Sequence, residues 1–382
     1  MVSQMSRRTS DHFAACLLGG SLGDALGWPV EFHRTSEIRT RFGRAGIQNP
    51  VASKAGVFEI TDDTQMTLFT AEGLIRAFVR YNARGMCNPI GVIHRAYGRW
   101  FSTQSGEYPG RIREDKDAGW LIRQRDLWAA RAPGNTCLSA LRTTSDCEPA
   151  KNDSKGCGTV IKTAPIGLVC NDPFGMGCEV AALTHGHRTG QIAAGFLSRV
   201  IGLLVEGGTL TEAIAATMDY VSLVEGHEET TAAIQRALDA SLEKEITPEL
   251  IETLGGGWIA EEALAISLLC ALRAESFEHG VRLAVNHSGD SDSTGAITGN
   301  LLGLVMGLES LPTAWLDGLE LRDVTEKIAR DLFKANSGEM PSGDTSALDF
   351  EISDPAIVAE IRADIERKAR GYEEWVEMYP GY

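Results

Sequence analysis

Apolar residues recur three and four positions apart along six stretches: "HFAACLLGGSLGDAL" from His12, "TQMTLFTAEGLIRAFVRY" from Thr64, "QIAAGFLSRVIGLLVEGG" from Gln191, "LTEAIAATMDYVSLV" from Leu210, "ETTAAIQRALDASLE" from Glu229 and "AEEALAISLLCALRA" from Ala260. That spacing follows the 3.6-residue turn of an α-helix and gives each stretch one apolar face for a core. Alternation at every second residue is scarce. The best strand candidate is "GTVIKTAPIGLVC" (158–170), where Pro165 and the glycines suit an irregular loop or a short helix as well. The expected fold class is all-α, an orthogonal multi-helix bundle with little or no strand.

Two long polar segments interrupt the pattern, 102–120 and 143–157, and loops of that length in a domain are usually functional or mobile. Residues 10–334 are expected to form one helical domain. The stretch 335–349 reads as a linker to a final helix near 354–378, so that 335–382 would be a linker and a C-terminal helix packed on the same domain.

Glycine recurs every fourth residue at Gly19, Gly23 and Gly27, and again at Gly295, Gly299, Gly303 and Gly307. Positions four apart share a helix face, so each series makes a stripe without side chains along which another backbone can approach. Each glycine costs a helix about 1 kcal/mol against alanine, a loss that close packing has to offset. If the two stripes face each other, they bring Asp24, Glu31 and the segment from Asp290 to Ser293 into one region.

Two helix starts are unusually rich in oxygen. Thr61, Asp62, Asp63 and Thr64 precede one amphipathic helix, and Asp290, Ser291, Asp292, Ser293 and Thr294 precede another. Helix capping explains one side-chain oxygen at each start, and the helix dipole favours carboxylates there. Four or more oxygens within five residues exceed that need. Carboxylates and hydroxyls without histidine or cysteine at ligand spacing are hard donors that select Mg²⁺, Mn²⁺ or Ca²⁺ over zinc, and adjacent aspartates can serve a pair of ions. The "DSDSTG" segment lacks the glutamate that an EF-hand carries at its twelfth position.

Composition narrows the partners. Fifty-two acidic against 36 basic residues leave a net charge of −16, with no basic stripe for nucleic acid, and 43% apolar residues can fill a large core. The eight cysteines form no CxxC pair and no signal-like segment opens the sequence, so reduced thiols in a cytoplasm are expected. Continuous apolar runs fall short of the roughly 20 residues that cross a bilayer, and no membrane partner is expected. Nothing in the pattern demands assembly, and a monomer is expected.

In chain order, "GDALGWPVE", "TDDTQM", "SKGCGTVIKTAPIGL", "LTHGHRTG" and "HSGDSDSTGAITGN" resemble the motifs of the ADP-ribosylglycohydrolase family, over roughly residues 12–308. The resemblance implies an all-α bundle with a dinuclear Mg²⁺ or Mn²⁺ centre. Carried over by position, it places the metal ligands on Thr61, Asp62, Asp63, Asp290, Asp292 and Ser293, the last often threonine in relatives. It places Glu31 on a loop over the metals and makes Asp24 an inner aspartate supporting the site. An ADP-ribose cleft would be lined by Gly156 and Gly158, whose backbone N–H groups could cradle phosphate, by His185 near the diphosphate with His187 beside it, and by Trp258 near the adenosine. Ile161 and Lys162 stand where relatives carry Met-Arg, and Arg188 where they carry proline; lysine keeps the charge without the bidentate fork of arginine.

The implied activity is hydrolysis of the N-glycosidic bond of ADP-ribosylated arginine on a protein, releasing ADP-ribose. Glu31, Asp62 and Asp292 are the candidate catalytic carboxylates, any of which could be the general base. Serine-linked or O-acetyl-ADP-ribose hydrolysis, or ADP-ribose binding without turnover, are the alternatives the same residues allow.

Overall fold

The computed structural model describes residues 5–111, 119–341 and 370–381, and all six periodic stretches are helical in it. In chain order the α-helices are α1 (Ser10–Gly27), α2 (Thr35–Phe42), α3 (Asp62–Arg84), α4 (Pro89–Ser105), α5 (Asn135–Thr143) and α6 (Ala164–Val169). They continue as α7 (Pro173–Ala182), α8 (Arg188–Val205), α9 (Leu210–Val221), α10 (Glu228–Ala240) and α11 (Pro248–Glu252). The last are α12 (Ala260–Leu272), α13 (Phe277–Val285), α14 (Ser291–Met306), α15 (Thr313–Gly318) and α16 (Arg322–Ser337). Among the described residues β-structure is confined to two isolated bridges, Phe58 with Leu319 and Gly156 with Ile259. The fold is all-α.

The segment 158–170 takes the short-helix alternative rather than the strand. A 3₁₀ turn at Cys157–Thr159 leads into α6, with Pro165 in its first turn. Proline is tolerated there because the first N–H groups of a helix have no partner in any case.

The glycine stripes explain the centre of the molecule. Helices α1 and α14 run antiparallel with Gly19 against Gly299, Gly23 against Gly295 and Gly27 against Ser291, so closely that a Cβ on any of the three would overlap the facing carbonyl. Gly303 continues the seam against the Ala15 carbonyl, and Asn300 Nδ2 donates to Cys16 O at 2.8 Å. Gly307 departs from the series. It caps α14 with a φ of 83°, where the missing side chain serves a left-handed turn rather than packing. Both helices are buried nearly all round, which a chain with apolar residues on every face permits. By length and composition Ser10–Val30 could cross a membrane, yet 89% of that window is buried inside the fold, as in a core helix.

An antiparallel pair sets the end of α1 beside the start of α14, and α3 begins at the same place because Asp24 reaches its first turn. The site therefore forms where three helix ends meet. Elsewhere, α4 runs through Ser105 into the polar segment expected at 102–120, of which 112–118 lie outside the described residues. Helix α16 runs to Ser337, three residues into the expected linker; 342–369 lie outside the described residues, and 370–378 are helical. Trp375 and Tyr379 are buried, with Tyr379 Oη donating to Asp331 Oδ2 at 2.7 Å and Arg76 Nε donating to Pro380 O at 2.8 Å.

Candidate metal centre

Capping at the start of α3 is carried out by residues other than its paired aspartates. Thr61, the N-cap, accepts from Asp63 N at 3.3 Å, and Asp24 on α1 accepts from Thr61 N at 3.0 Å, Thr64 N at 3.2 Å and Thr64 Oγ1 at 2.5 Å. With the free N–H groups taken, the Asp62 and Asp63 carboxylates are released for another role. Asp62 Oδ2 accepts from Gly134 N at 3.0 Å, and Asp63 Oδ2 has no hydrogen-bond partner although it is buried.

The start of α14 repeats the arrangement. Asp290 sits at the N-cap position without capping through its side chain, and its backbone N–H is held by Gly256 O at 2.8 Å. Asp292 Oδ1 accepts from Ser293 N at 3.0 Å, while Asp290 Oδ2 is buried without a partner. Glu31 follows the 3₁₀ turn Trp28–Val30; it points inward with 7% exposure, and its Oε2 is likewise unpartnered. Ligand oxygens of Glu31, Asp290 and Asp292 all lie within 4.8 Å of one another.

The electrostatics of this cluster are unfavourable for protein alone. Burial, then the charges of Asp292, Asp290 and Asp62, push the Glu31 carboxyl up to about 10. Burial pushes Asp62 up to about 8, with Asp292 adding to it, and Asp24 up to about 7 for the same two reasons. Asp63 and Asp290 are held well above the usual carboxylate range by burial and then by Asp292. Burial raises Asp292 as well. Among the described residues none of these six carboxylates has an ion pair with lysine or arginine. Six buried carboxyls with three bare oxygens fit divalent cations, whose charge would restore the ionised forms. Asp62, Asp290 and Asp292 thus lie close enough to Glu31 to act on its charge, Asp63 lies close enough to Asp62, Asp290 and Asp292 to feel theirs, and Thr61 and Ser293 stand at the same two helix starts.

The other expected cleft residues fall nearby, with two changes of role. Gly156 and Gly158 leave room for the His185 ring, which a Cβ at either would meet at 3.3 and 3.2 Å. In their loop Cys157 N donates to Trp258 O, Thr159 N to Gly156 O and Val160 N to Cys157 O, while Gly156 N reaches Ser154 Oγ at 3.4 Å. Lys162 is fully buried, and its Nζ donates to Thr184 Oγ1 at 2.5 Å and lies over the Tyr97 ring, so it faces the core. Thr184 in turn bonds His185 Nδ1 at 2.8 Å. Burial and the Lys162 charge hold His185 well below the usual imidazole range, leaving it neutral. His187 is the N-cap of α8, its Nδ1 accepting from Thr189 N at 3.2 Å. Trp258 stacks on Phe32, ring centroids 5.2 Å apart and planes 19° apart, with 42% of Trp258 and 67% of Phe32 exposed.

Three contributors escape the sequence reading. Phe32 adopts a φ of 64°, a strained conformation that turns its ring outward while Glu31 points in. Gly134 supplies the N–H that holds Asp62. The Cys157 thiol lies against Asp290 and Ser293, signalled in the sequence only by its place between two glycines.

Comparison with known proteins agrees with this geometry. The chain is 24% identical over 341 residues to the ADP-ribosyl-[dinitrogen reductase] glycohydrolase of Rhodospirillum rubrum, covering 84% of this chain and 94% of the relative. It is 23% identical over 328 residues to the ADP-ribosylarginine hydrolase Tri1 of Serratia proteamaculans (strain 568), covering 85% and 79%. It is 21% identical over 373 residues to the ADP-ribosylhydrolase ARH3 of Mus musculus, covering 86% and 92%. A solved ADP-ribosylglycohydrolase-related protein complex superposes with a TM-score of 0.56 at 25% identity, over 87% of this chain and 99% of the other. The ADP-ribosylglycohydrolase family model matches residues 5–341, and the chain belongs to that family.

Proposed function

We propose that this chain is a metal-dependent ADP-ribosyl hydrolase that cleaves the bond between ribose C1″ and the guanidinium of an ADP-ribosylated arginine on a protein. The observation that carries the reading is the meeting of three helix ends around six buried carboxyls, three of whose oxygens are bare. Thr61, Asp62, Asp63, Asp290, Asp292 and Ser293 would hold two Mg²⁺ or Mn²⁺ ions, which when bound supply positive charge to the carboxylates and Lewis acidity toward sugar hydroxyls.

The chain's own groups then divide the work. Glu31, inward-facing with a free Oε2, is positioned to take the proton of the attacking water and return it to the departing guanidine nitrogen. The C1″–N bond breaks as the C1″–O bond forms, and the products are ADP-ribose and arginine. Asp62 is held by Gly134 N and Asp292 by Ser293 N, which orients both carboxylates. His185, kept neutral, offers its Nε2 side toward the Gly156–Gly158 loop as a hydrogen-bonding group for phosphate or ribose oxygen. Names of relatives that act on ADP-ribosylarginine support the linkage.

The test is release of ADP-ribose from an arginine-ADP-ribosylated protein by the purified chain with Mg²⁺ or Mn²⁺. Turnover is expected with either ion and is lost in EDTA and in Asp62→Ala and Asp292→Ala. Turnover by the double variant at the wild-type rate would refute the metal assignment. Release from serine-linked or O-acetyl substrates alone would refute the linkage.

A further inference from the structure

Away from the metal centre, a cleft of about 730 Å³ opens between α2, the Glu245–Ile251 segment and α13. Its lining includes Arg39 and Arg44 from α2 and the turn after it, His279 and Arg282 from α13, and the buried Ile251 and Asn286. The lining sets three arginines and a histidine against two glutamates, Glu245 and Glu249, an excess of basic groups in a protein of net charge −16.

The walls are fixed before any ligand arrives. Asn286 Oδ1 accepts from Ile47 N at 2.8 Å, its Nδ2 donates to Ile47 O at 2.9 Å, and Arg282 Nε donates to Gln48 O at 2.8 Å, tying the turn after α2 to α13. Glu252 Oε1 accepts from Thr35 Oγ1 at 2.5 Å and Ser288 N at 2.9 Å, tying α11 to both.

The cationic groups nevertheless keep donors to spare. Arg44 makes no hydrogen bond or ion pair with any described residue. Arg39 is paired with Glu249 at 2.8 Å and Arg282 with Glu278 at 2.9 Å, but the glutamates are the more exposed partners, 61% and 40% against 40% and 28%. Such exposed pairs contribute little and exchange readily. His279 accepts from Glu275 N through Nδ1, which leaves Nε2 as the ring's N–H donor.

The geometry points to a second ligand site here, for a small phosphorylated molecule whose phosphate is gripped by Arg39, Arg44 and Arg282. Guanidinium forks match phosphate oxygens bidentately, and the cleft has the size of small-ligand pockets, about 300–1,000 Å³. Glu245 and Glu249 at the rim disfavour an extended acidic chain.

Titration calorimetry of the full-length Mg²⁺-loaded protein with inorganic phosphate and with ADP tests the site. Binding of at least one is expected, weakened at least tenfold in Arg44→Ala and in Arg39→Ala and preserved in Asp62→Ala, while Arg44→Ala keeps wild-type hydrolase turnover. Tighter binding of ADP than of phosphate identifies a nucleotide-like ligand; equal binding identifies the phosphate group alone. No binding at millimolar concentrations, weakening by Asp62→Ala as large as by Arg44→Ala, or equal displacement by a hexaglutamate peptide would each overturn the inference.

Discussion

Asp24 Oδ2 accepts from both the hydroxyl and the backbone N–H of Thr64, at 2.5 and 3.2 Å, so that a side chain of α1 caps α3. Asp24→Ala would leave the Thr61 and Thr64 N–H groups buried without partners, at a cost of about 1–3 kcal/mol each. Urea unfolding should show a total loss of about 2–6 kcal/mol for the two groups, and turnover should fall with it because the Asp62 and Asp63 carboxylates lose their fixed helix start. Unchanged stability would mean the cap is dispensable.

The glycine seam gives a sharper steric test. Gly23→Ala and Gly295→Ala each place a methyl into the opposing carbonyl, and overpacking of that kind costs about 1–3 kcal/mol or more. At Gly110, where nothing lies within 4 Å of an added Cβ, alanine should change stability by less than about 0.5 kcal/mol. Equal midpoints for the seam and Gly110 variants would contradict the close approach of α1 and α14.

Charge at the buried carboxyl cluster predicts a reversal of sign. Asp63 is pushed well above its ordinary range by burial and by Asp292, so at neutral pH its ionisation opposes folding when no cation is bound. In EDTA, Asp63→Asn should therefore be more stable than wild type, by on the order of 1 kcal/mol. Mg²⁺ or Mn²⁺ at a hundredfold excess over Kd should stabilise the wild type by about 2.7 kcal/mol. The variant should gain less than half of that. Thermal melts with and without metal measure both, and identical metal responses would remove Asp63 from the ligand set.

Two histidines set a pH dependence of their own. Burial lowers His94 and His287 from 6.5 to about 4, with His94 Nδ1 accepting from Cys147 N and His287 Nε2 bonding Thr294 Oγ1. Between pH 6.5 and 4 the unfolded chain takes up these protons and the folded chain does not, so their stability is full above pH 6.5 and drains away as pH falls toward 4. The slope is about 1.36 kcal/mol per pH unit per histidine. The raised carboxyls of the metal centre act in the opposite sense, so the measurement belongs in saturating Mg²⁺. There, His287→Asn should flatten the curve of unfolding free energy against pH by about one such slope.

Much of this was legible in the sequence because it rests on spacing. Glycines four apart and oxygens packed into five residues are local patterns, and both marked parts that come together in space. What spacing could not reveal was partnership. The bonds from Asp24 to Thr64 and from Gly134 to Asp62 join residues 40 and 72 positions apart, and Phe32's turn outward follows from the strained φ at a loop. The segment around Ala164–Val169 stayed open between strand, loop and short helix, because the tolerated place of its proline depends on knowing where the helix starts. Gly307 continues a regular series in sequence and leaves it in space, since a left-handed cap and a packing stripe ask for the same residue.

The antiparallel seam of α1 and α14 has a consequence for synthesis. Gly23 and Gly295 meet although most of the polypeptide separates them, so an emerging chain carries one half of the cation trap long before the other half has been translated. Until α14 leaves the ribosome, Asp62 and Asp63 lack the facing Asp290 and Asp292. On the proposed function, hydrolysis is thus acquired late and all at once, when the two ends of the helical domain close on each other.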